Sequence, residues 1–227
     1  VNILIHTSNA SIMIEKKNKK MKVLYTQDRP LGGSGNSLFQ MVSSLKGVES
    51  YIYFGSRDMM YEAFKKLEPR IKISTSFYTR SWLHYVPKNF SFFWLLKSPM
   101  IIAFHIFSIL SLTIFAKRNR IDIIHSNTLS MIEGAVVAKI LNIPHIWHIR
   151  ELIGDDAYKY SFKKSTIIKI INNLSNKVFC DSKGTYNSLL SLGIEKDKVS
   201  IIGNIITNPL KNKNIRRLLN LPLHSKI

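Results

Sequence analysis

The chain has 227 residues, 45% of them hydrophobic and 11% aromatic, which is enough for one large packed domain and too apolar for a disordered polypeptide. Its 33 basic residues against 14 acidic ones leave a formal charge of +19, which points to an anionic partner: a membrane surface, a phosphorylated substrate or nucleic acid. The single cysteine, Cys180, cannot close an internal disulfide and suits a reducing compartment.

Residues 1–20 open on Val1, end in the basic run Lys16-Lys17-Asn18-Lys19-Lys20, and show no secretory pattern. They read as an upstream extension or a mis-called start that adds nothing essential to the fold; an extra strand over 2–6 is the alternative. From Met21 the chain alternates short runs rich in Val, Ile and Tyr with helix-like stretches. Strands are predicted at 22–27, 50–54, 71–75, 122–126, 145–148, 177–181 and 199–202, with helices at 36–45, 59–67, 129–141 and 185–192. The strands carry little polar alternation, as expected when both faces are covered. Strand and helix alternating at this spacing predict a Rossmann-like α/β domain, a parallel sheet with helices on both faces.

The stretch 99–115 has no formal charge and lies between Lys97 and Lys117-Arg118. It approaches the length of a membrane span, but a single span would separate strands 22–27 and 122–126, which must share one sheet. A long buried or interfacial helix is therefore expected. The aromatic residues Phe90, Phe92, Phe93 and Trp94 just before it, with the net charge, suggest peripheral attachment to anionic membranes.

Three loops carry the candidate chemistry. The first strand runs into Pro30-Leu31-Gly32-Gly33-Ser34-Gly35-Asn36. There Gly32, Gly33 and Gly35 allow close backbone approach, and a helix N-terminus offers free N–H groups to a phosphate or oxyanion. A dinucleotide fingerprint fits poorly, since Leu38 occupies the third glycine position and no acidic residue ends the second strand, which leads into Gly55-Ser56-Arg57. A tight turn without a ligand remains the plain alternative. The second loop places His125 and Asn127 at the carboxyl end of strand 122–126, and the third places His148, Arg150 and Glu151 at the end of strand 145–148. Carboxyl ends of strands are where open α/β sheets bind ligands. The seven histidines show no metal-ligand spacing, and no base-stacking or groove-reading module supports nucleic-acid binding.

Taken in order, Lys22-Val23-Leu24-Tyr25 with Gly32-Gly33, Asp122-Ile123-Ile124-His125-Ser126-Asn127, Gly134-Ala135, Ile143-Pro144-His145, His148-Ile149-Arg150-Glu151, Cys180-Asp181-Ser182 and Lys198-Val199-Ser200-Ile201-Ile202-Gly203-Asn204 resemble glycosyltransferase family 4 over about residues 21–204. Two positions depart from it: Asn127 stands where many members carry histidine, and Asn204-Ile205-Ile206-Thr207 replaces the usual Asn-Gly-hydrophobic-Asp. The resemblance implies a GT-B enzyme that transfers a sugar from a nucleotide donor with retention, using neither metal nor cofactor. Residues 21–207 would be its N-terminal, acceptor-side half, and 208–227 the start of a linker to a C-terminal, donor-binding half that this chain does not carry. His148 and Asn127 would be catalytic, and Gly32, Gly33, Gly35, Arg150 and Glu151 would bind substrate.

The function expected is that half of a retaining glycosyltransferase of glycan or polysaccharide synthesis, truncated and inactive alone. Its partners would be a nucleotide sugar, a lipid-linked or glycan acceptor, and the inner face of a cytoplasmic membrane. The alternative is a non-catalytic acceptor- or membrane-binding subunit that needs a separate donor-domain chain.

Overall fold

The computed structural model describes residues 4–7, 10–13, 20–30, 32–56, 61–66, 71–76, 92–153 and 162–203. Residues 208–227, Phe90 and the ends of the helix expected at 59–67 lie outside them. Strands β1 (Leu4–Thr7) and β2 (Ala10–Met13) form an antiparallel ladder of their own within the stretch read as an extension. They share no pairing with the main sheet.

From Met21 the chain alternates β3 (Met21–Gln27), α1 (Gly33–Ser44), β4 (Val48–Phe54), α2 (Tyr61–Lys65), β5 (Ile71–Thr75), α3 (Phe92–Asn119), β6 (Ile123–Ser126), α4 (Glu133–Leu141), β7 (His145–Ile149), α5 (Lys164–Leu174), β8 (Lys177–Cys180), α6 (Lys183–Ser191) and β9 (Val199–Ile201). All seven predicted strands are present, with ends within two residues of those expected. They pair in parallel in the order β5-β4-β3-β6-β7-β8-β9. The chain thus winds outward one way from β3, returns through α3 to β6, and winds outward the other way. This is the doubly wound, Rossmann-like order, with its reversal between β3 and β6.

Right-handed crossovers put helices from the two winding directions on opposite faces. Leu38 and Val42 of α1 and Tyr61 and Phe64 of α2 bury one face, against Val23, Tyr25, Ile52 and Phe54. On the other face, Leu112 and Ala116 of α3 and Val137 and Ala138 of α4 meet Leu24, Tyr51, Tyr53 and Ile124. Further along that face, α5 and α6 cover Trp147, Ile149, Val178 and Cys180.

Helix α5 had no counterpart in the sequence reading. Its Ser165, Thr166, Asn172 and Asn173 are poor helix formers, but Ile167, Ile168 and Ile171 recur at helical spacing and are buried, so tertiary packing decides. Helix α3 runs to 28 residues, with Pro99 inside it. It is not the buried helix that one of the two expectations allowed: Ser108, Leu112 and Ala116 face the sheet, while Met100, Ile106, Phe107 and Leu110 face out.

Candidate functional site at the sheet reversal

At the reversal between β3 and β6, where open α/β sheets form a ligand crevice beyond the strand ends, the carboxyl end of β3 leads into the glycine-rich loop. Gly32 there has φ +107° and ψ −179°, a backbone conformation open essentially to glycine alone. It turns the chain from β3 into α1, and its carbonyl accepts the Asn36 N–H at 2.9 Å. Gly35 has a different reason. A β-carbon on it would lie 1.7 Å from the Pro30 carbonyl oxygen, so the helix sits hard against the loop it leaves. Gly33 meets nothing within 4 Å. The first turn of α1 carries neither a side-chain cap nor an acidic residue, which leaves the leading N–H groups directed at the crevice.

A buried amide pair joins this loop to the next strand. Asn127, fully buried, donates from Nδ2 to Gln27 Oε1 at 2.7 Å and to the Ser34 carbonyl at 3.0 Å. Gln27 Nε2 in turn donates to Ser34 Oγ at 2.9 Å and to Asp28 Oδ1 at 3.3 Å. Both amides therefore have an unambiguous orientation. Asn127 Oδ1 accepts from Arg150 Nη2 at 3.2 Å, and the same nitrogen lies 3.3 Å from His148 Nδ1. A guanidinium only donates, so His148 Nδ1 must accept, and the neutral ring carries its proton on Nε2. Burial, reinforced by Arg150, lowers the His148 pKa to about 3. Its Nε2 is buried and has no hydrogen-bond partner among the described residues.

The Glu151 carboxylate closes the third loop, accepting from the backbone N–H of Arg150 at 3.1 Å and of Leu129 at 3.4 Å. Burial pushes its pKa up, and these N–H groups pull it back. Trp147 Nε1 donates to the Thr128 carbonyl at 2.8 Å, pinning the segment that follows Asn127. Burial also lowers the Arg150 pKa, against the pull of Asp181 and Glu151. The side chain is only partly buried, and Gly32 and Gly33 are exposed. Gly32, Gly33 and Arg150 are therefore accessible from solvent at this edge, whereas Asn127 and His148 are buried.

The seven expected site residues thus lie at three adjacent strand ends, with Gly33 and Gly35 in the first turn of α1 and His148 within β7. Gly32, Gly33 and Gly35 form the β3–α1 turn, and Asn127, Arg150 and His148 are joined by direct hydrogen bonds. His125, one turn of pleat earlier, is instead a core residue against Tyr25, 5.2 Å between ring centroids. Sequence reasoning missed Gln27, although a polar residue ending an apolar strand at the carboxyl edge was a readable signal, and Ser34, which only its contacts reveal. Among the described residues no group of three or more His, Cys, Asp or Glu side chains is placed to hold a metal ion.

The sequence profile of glycosyltransferase family 4 matches residues 46–207. The chain belongs to that family. The matched span begins after the glycine loop, so β3 and α1 are assigned by structure rather than by the profile. No curated protein sequence matches the chain. Among solved structures, Anabaena HepE in complex with UDP-glucose superposes with a TM-score of 0.59 at 14% identity, covering 88% of this chain and 50% of HepE. A Rickettsia africae glycosyltransferase gives 0.56 at 14% identity, with coverages of 90% and 51%. The UDP-GlcNAc 2-epimerase of Methanocaldococcus jannaschii gives 0.53 at 15% identity, with 82% and 46%. The chain therefore has the fold of one half of a GT-B protein and spans about half the length of these relatives. Transferases and an epimerase share that fold, so the fold by itself names no activity.

Proposed function

We propose that this family 4 domain is the acceptor-side half of a retaining, nucleotide-sugar-dependent glycosyltransferase of glycan or polysaccharide synthesis. The observation that carries the reading is the meeting of the glycine loop with the Asn127–Arg150 pair at the sheet reversal, the place where doubly wound sheets take ligands. Arg150 and the leading N–H groups of α1 are donors fixed in advance, suited to an acceptor hydroxyl or phosphate and to negative charge that develops on the departing diphosphate. Asn127 and His148 act as positioning residues in this reading. His148 is held neutral with Nδ1 engaged by Arg150, so it fixes the guanidinium rather than moving a proton. Gly32 and Gly35 set the loop, and Glu151 holds the third loop closed.

Such transfer needs donor and acceptor held in line between two facing walls, and the described residues supply one. The 227-residue chain is therefore expected to bind acceptor but not to turn over nucleotide sugar alone. The test is a radiolabelled transfer assay over a panel of nucleotide sugars with lipid-linked and free glycan acceptors. It is paired with acceptor titrations of the wild-type chain and of Arg150→Ala. The expected result is no product from the isolated chain, with acceptor affinity reduced by about tenfold or more in the variant, as for a lost charge-assisted hydrogen bond. Turnover by the isolated chain, or acceptor binding indifferent to Arg150, would overturn the reading.

A further inference from the structure

Helix α3 is oriented the opposite way to a helix of a water-soluble domain. Four of its uncharged polar side chains are bonded or buried within the protein. His105 Nδ1 lies 2.7 Å from Glu133 Oε1 of α4, Ser108 is buried, Thr113 Oγ1 donates to the Ile109 carbonyl, and Asn119 Nδ2 donates to that of Phe115. Its large apolar side chains face solvent instead. Met100, Ile102, Ile106, Phe107, Leu110 and Ile114 are each between 52% and 58% exposed. Ile102, Ile106, Leu110 and Ile114 recur every four residues, with Met100 and Phe107 beside them, so the six form one continuous stripe. The most apolar 18 residues within Pro99–Asn119 have a mean hydropathy of 2.0, and contiguous exposed apolar patches mark interaction or membrane sites.

We infer that the outer stripe of α3 is a membrane-docking surface that lies in the plane of an anionic leaflet. Three features choose this occupant. The stripe ends at exposed Lys117, Arg118 and Arg120, cations placed to reach lipid headgroups while the apolar residues enter the acyl boundary. A net charge of +19 draws the chain to an anionic surface and repels a second copy of itself. The helix is by length and composition able to cross a bilayer, yet Leu112 and Ala116 pack in the core beside Tyr51 and Tyr53, which keeps it at the surface.

The placement has a consequence for the acceptor. Ile121, just past α3, donates its N–H to Ala116, and Asp122 donates to Lys22 at the start of β3, so the helix ends at the amino edge of the sheet. His105 meets the first turn of α4 at the carboxyl edge. Residues 92–104 therefore extend beyond that edge by roughly 20 Å at 1.5 Å per residue. The docked leaflet would lie alongside the crevice, within reach of a lipid-linked acceptor. The inference itself does not depend on the transfer reaction, and its test involves no catalysis.

The test is co-sedimentation of the 227-residue chain with vesicles of phosphatidylcholine alone and of equimolar phosphatidylcholine and phosphatidylglycerol, at low and high salt. The wild type is expected to bind the anionic vesicles, more weakly at high salt. Phe107→Glu with Leu110→Glu should lower partitioning at least about tenfold at both salt levels, and Lys117→Glu with Arg118→Glu should remove the preference for anionic lipid. Unchanged circular dichroism and melting midpoints verify that these exposed substitutions leave the fold intact. A polarity-sensitive fluorophore on Leu110→Cys should shift to the blue on vesicles, and one on exposed Lys183→Cys should not. Absence of wild-type binding, variants that bind like wild type, or a wild-type dimer dispersed by the two glutamates would each overturn the inference, the last by showing a second copy on the stripe.

Discussion

At the scale of single residues, the three glycines of the β3–α1 turn look equivalent in sequence but do different things. Gly32 is required by its backbone angles, Gly35 by the Pro30 carbonyl 1.7 Å from any added β-carbon, and Gly33 by neither. Gly35→Ala must therefore displace backbone, and a loss of about 2 kcal/mol or more is expected. Gly33→Ala, at an exposed helix start, should change stability by less than about 0.5 kcal/mol. Paired chemical denaturation curves verify this, and equal losses would refute the packing argument. The same scale shows why Asn127 can stand where many family members carry histidine. Its amide supplies two donors and an acceptor, and all are used, by Gln27, Ser34 and Arg150.

Among the elements, the two faces of α3 separate packing from surface. Leu112 is fully buried between the sheet and the helix, whereas Leu110, half a turn away, is 57% exposed. Leu112→Ala should cost about 2–5 kcal/mol, the range for a buried leucine. Leu110→Ala should leave the unfolding midpoint nearly unchanged while weakening vesicle binding. Urea unfolding of the pair distinguishes the two roles; similar losses would mean that the stripe is part of the core. Helix α4 shows how closely elements approach at the reversal. A β-carbon on Gly134 would lie 2.5 Å from both Thr26 Oγ1 and Ser126 Oγ, so the helix rests directly on strands β3 and β6. The polar pair it covers continues through His145. That ring donates from Nδ1 to the Leu174 carbonyl and accepts from Ser126 at Nε2.

For the molecule as a whole, this buried imidazole chemistry makes stability depend on pH. Burial lowers the pKa of His145 and of His148 to about 3 and that of His125 well below the ordinary value. In the unfolded chain each titrates near 6.5. A folded pKa below the unfolded one means that the unfolded state binds more protons across this window, so stability is complete above about pH 6.5 and declines towards pH 3. His145 and His148 should each cost about 2 kcal/mol between pH 6.5 and 5, and His125 acts in the same direction. The raised pKa of Glu151 acts in the opposite direction, but it is one group against three. Calorimetry should show a clearly lower melting temperature at pH 5 than at pH 7, with part of the difference removed by His145→Gln. A midpoint unchanged between those values would mean that the rings are solvated.

What the sequence alone determined was the strand–helix alternation and therefore the Rossmann-like half, because short runs of Val, Ile and Tyr and an apolar period of 3.6 are local properties written directly in residue order. The family likewise followed from ordered motifs, and the carboxyl-edge rule directed attention to Gly32, Gly33, Gly35, Asn127, His148, Arg150 and Glu151, which lie at the carboxyl ends of β3, β6 and β7. Which of them touch, and which face a ligand, depends on contacts across as many as 100 residues of chain, such as Thr26 with Ser126, and no local pattern encodes these. Only the tertiary structure placed Gln27 at the centre of the network and assigned the His148 proton to Nε2. It also turned the apolar side of α3 outward, since composition shows that a helix is apolar but not which side of it the sheet has already taken.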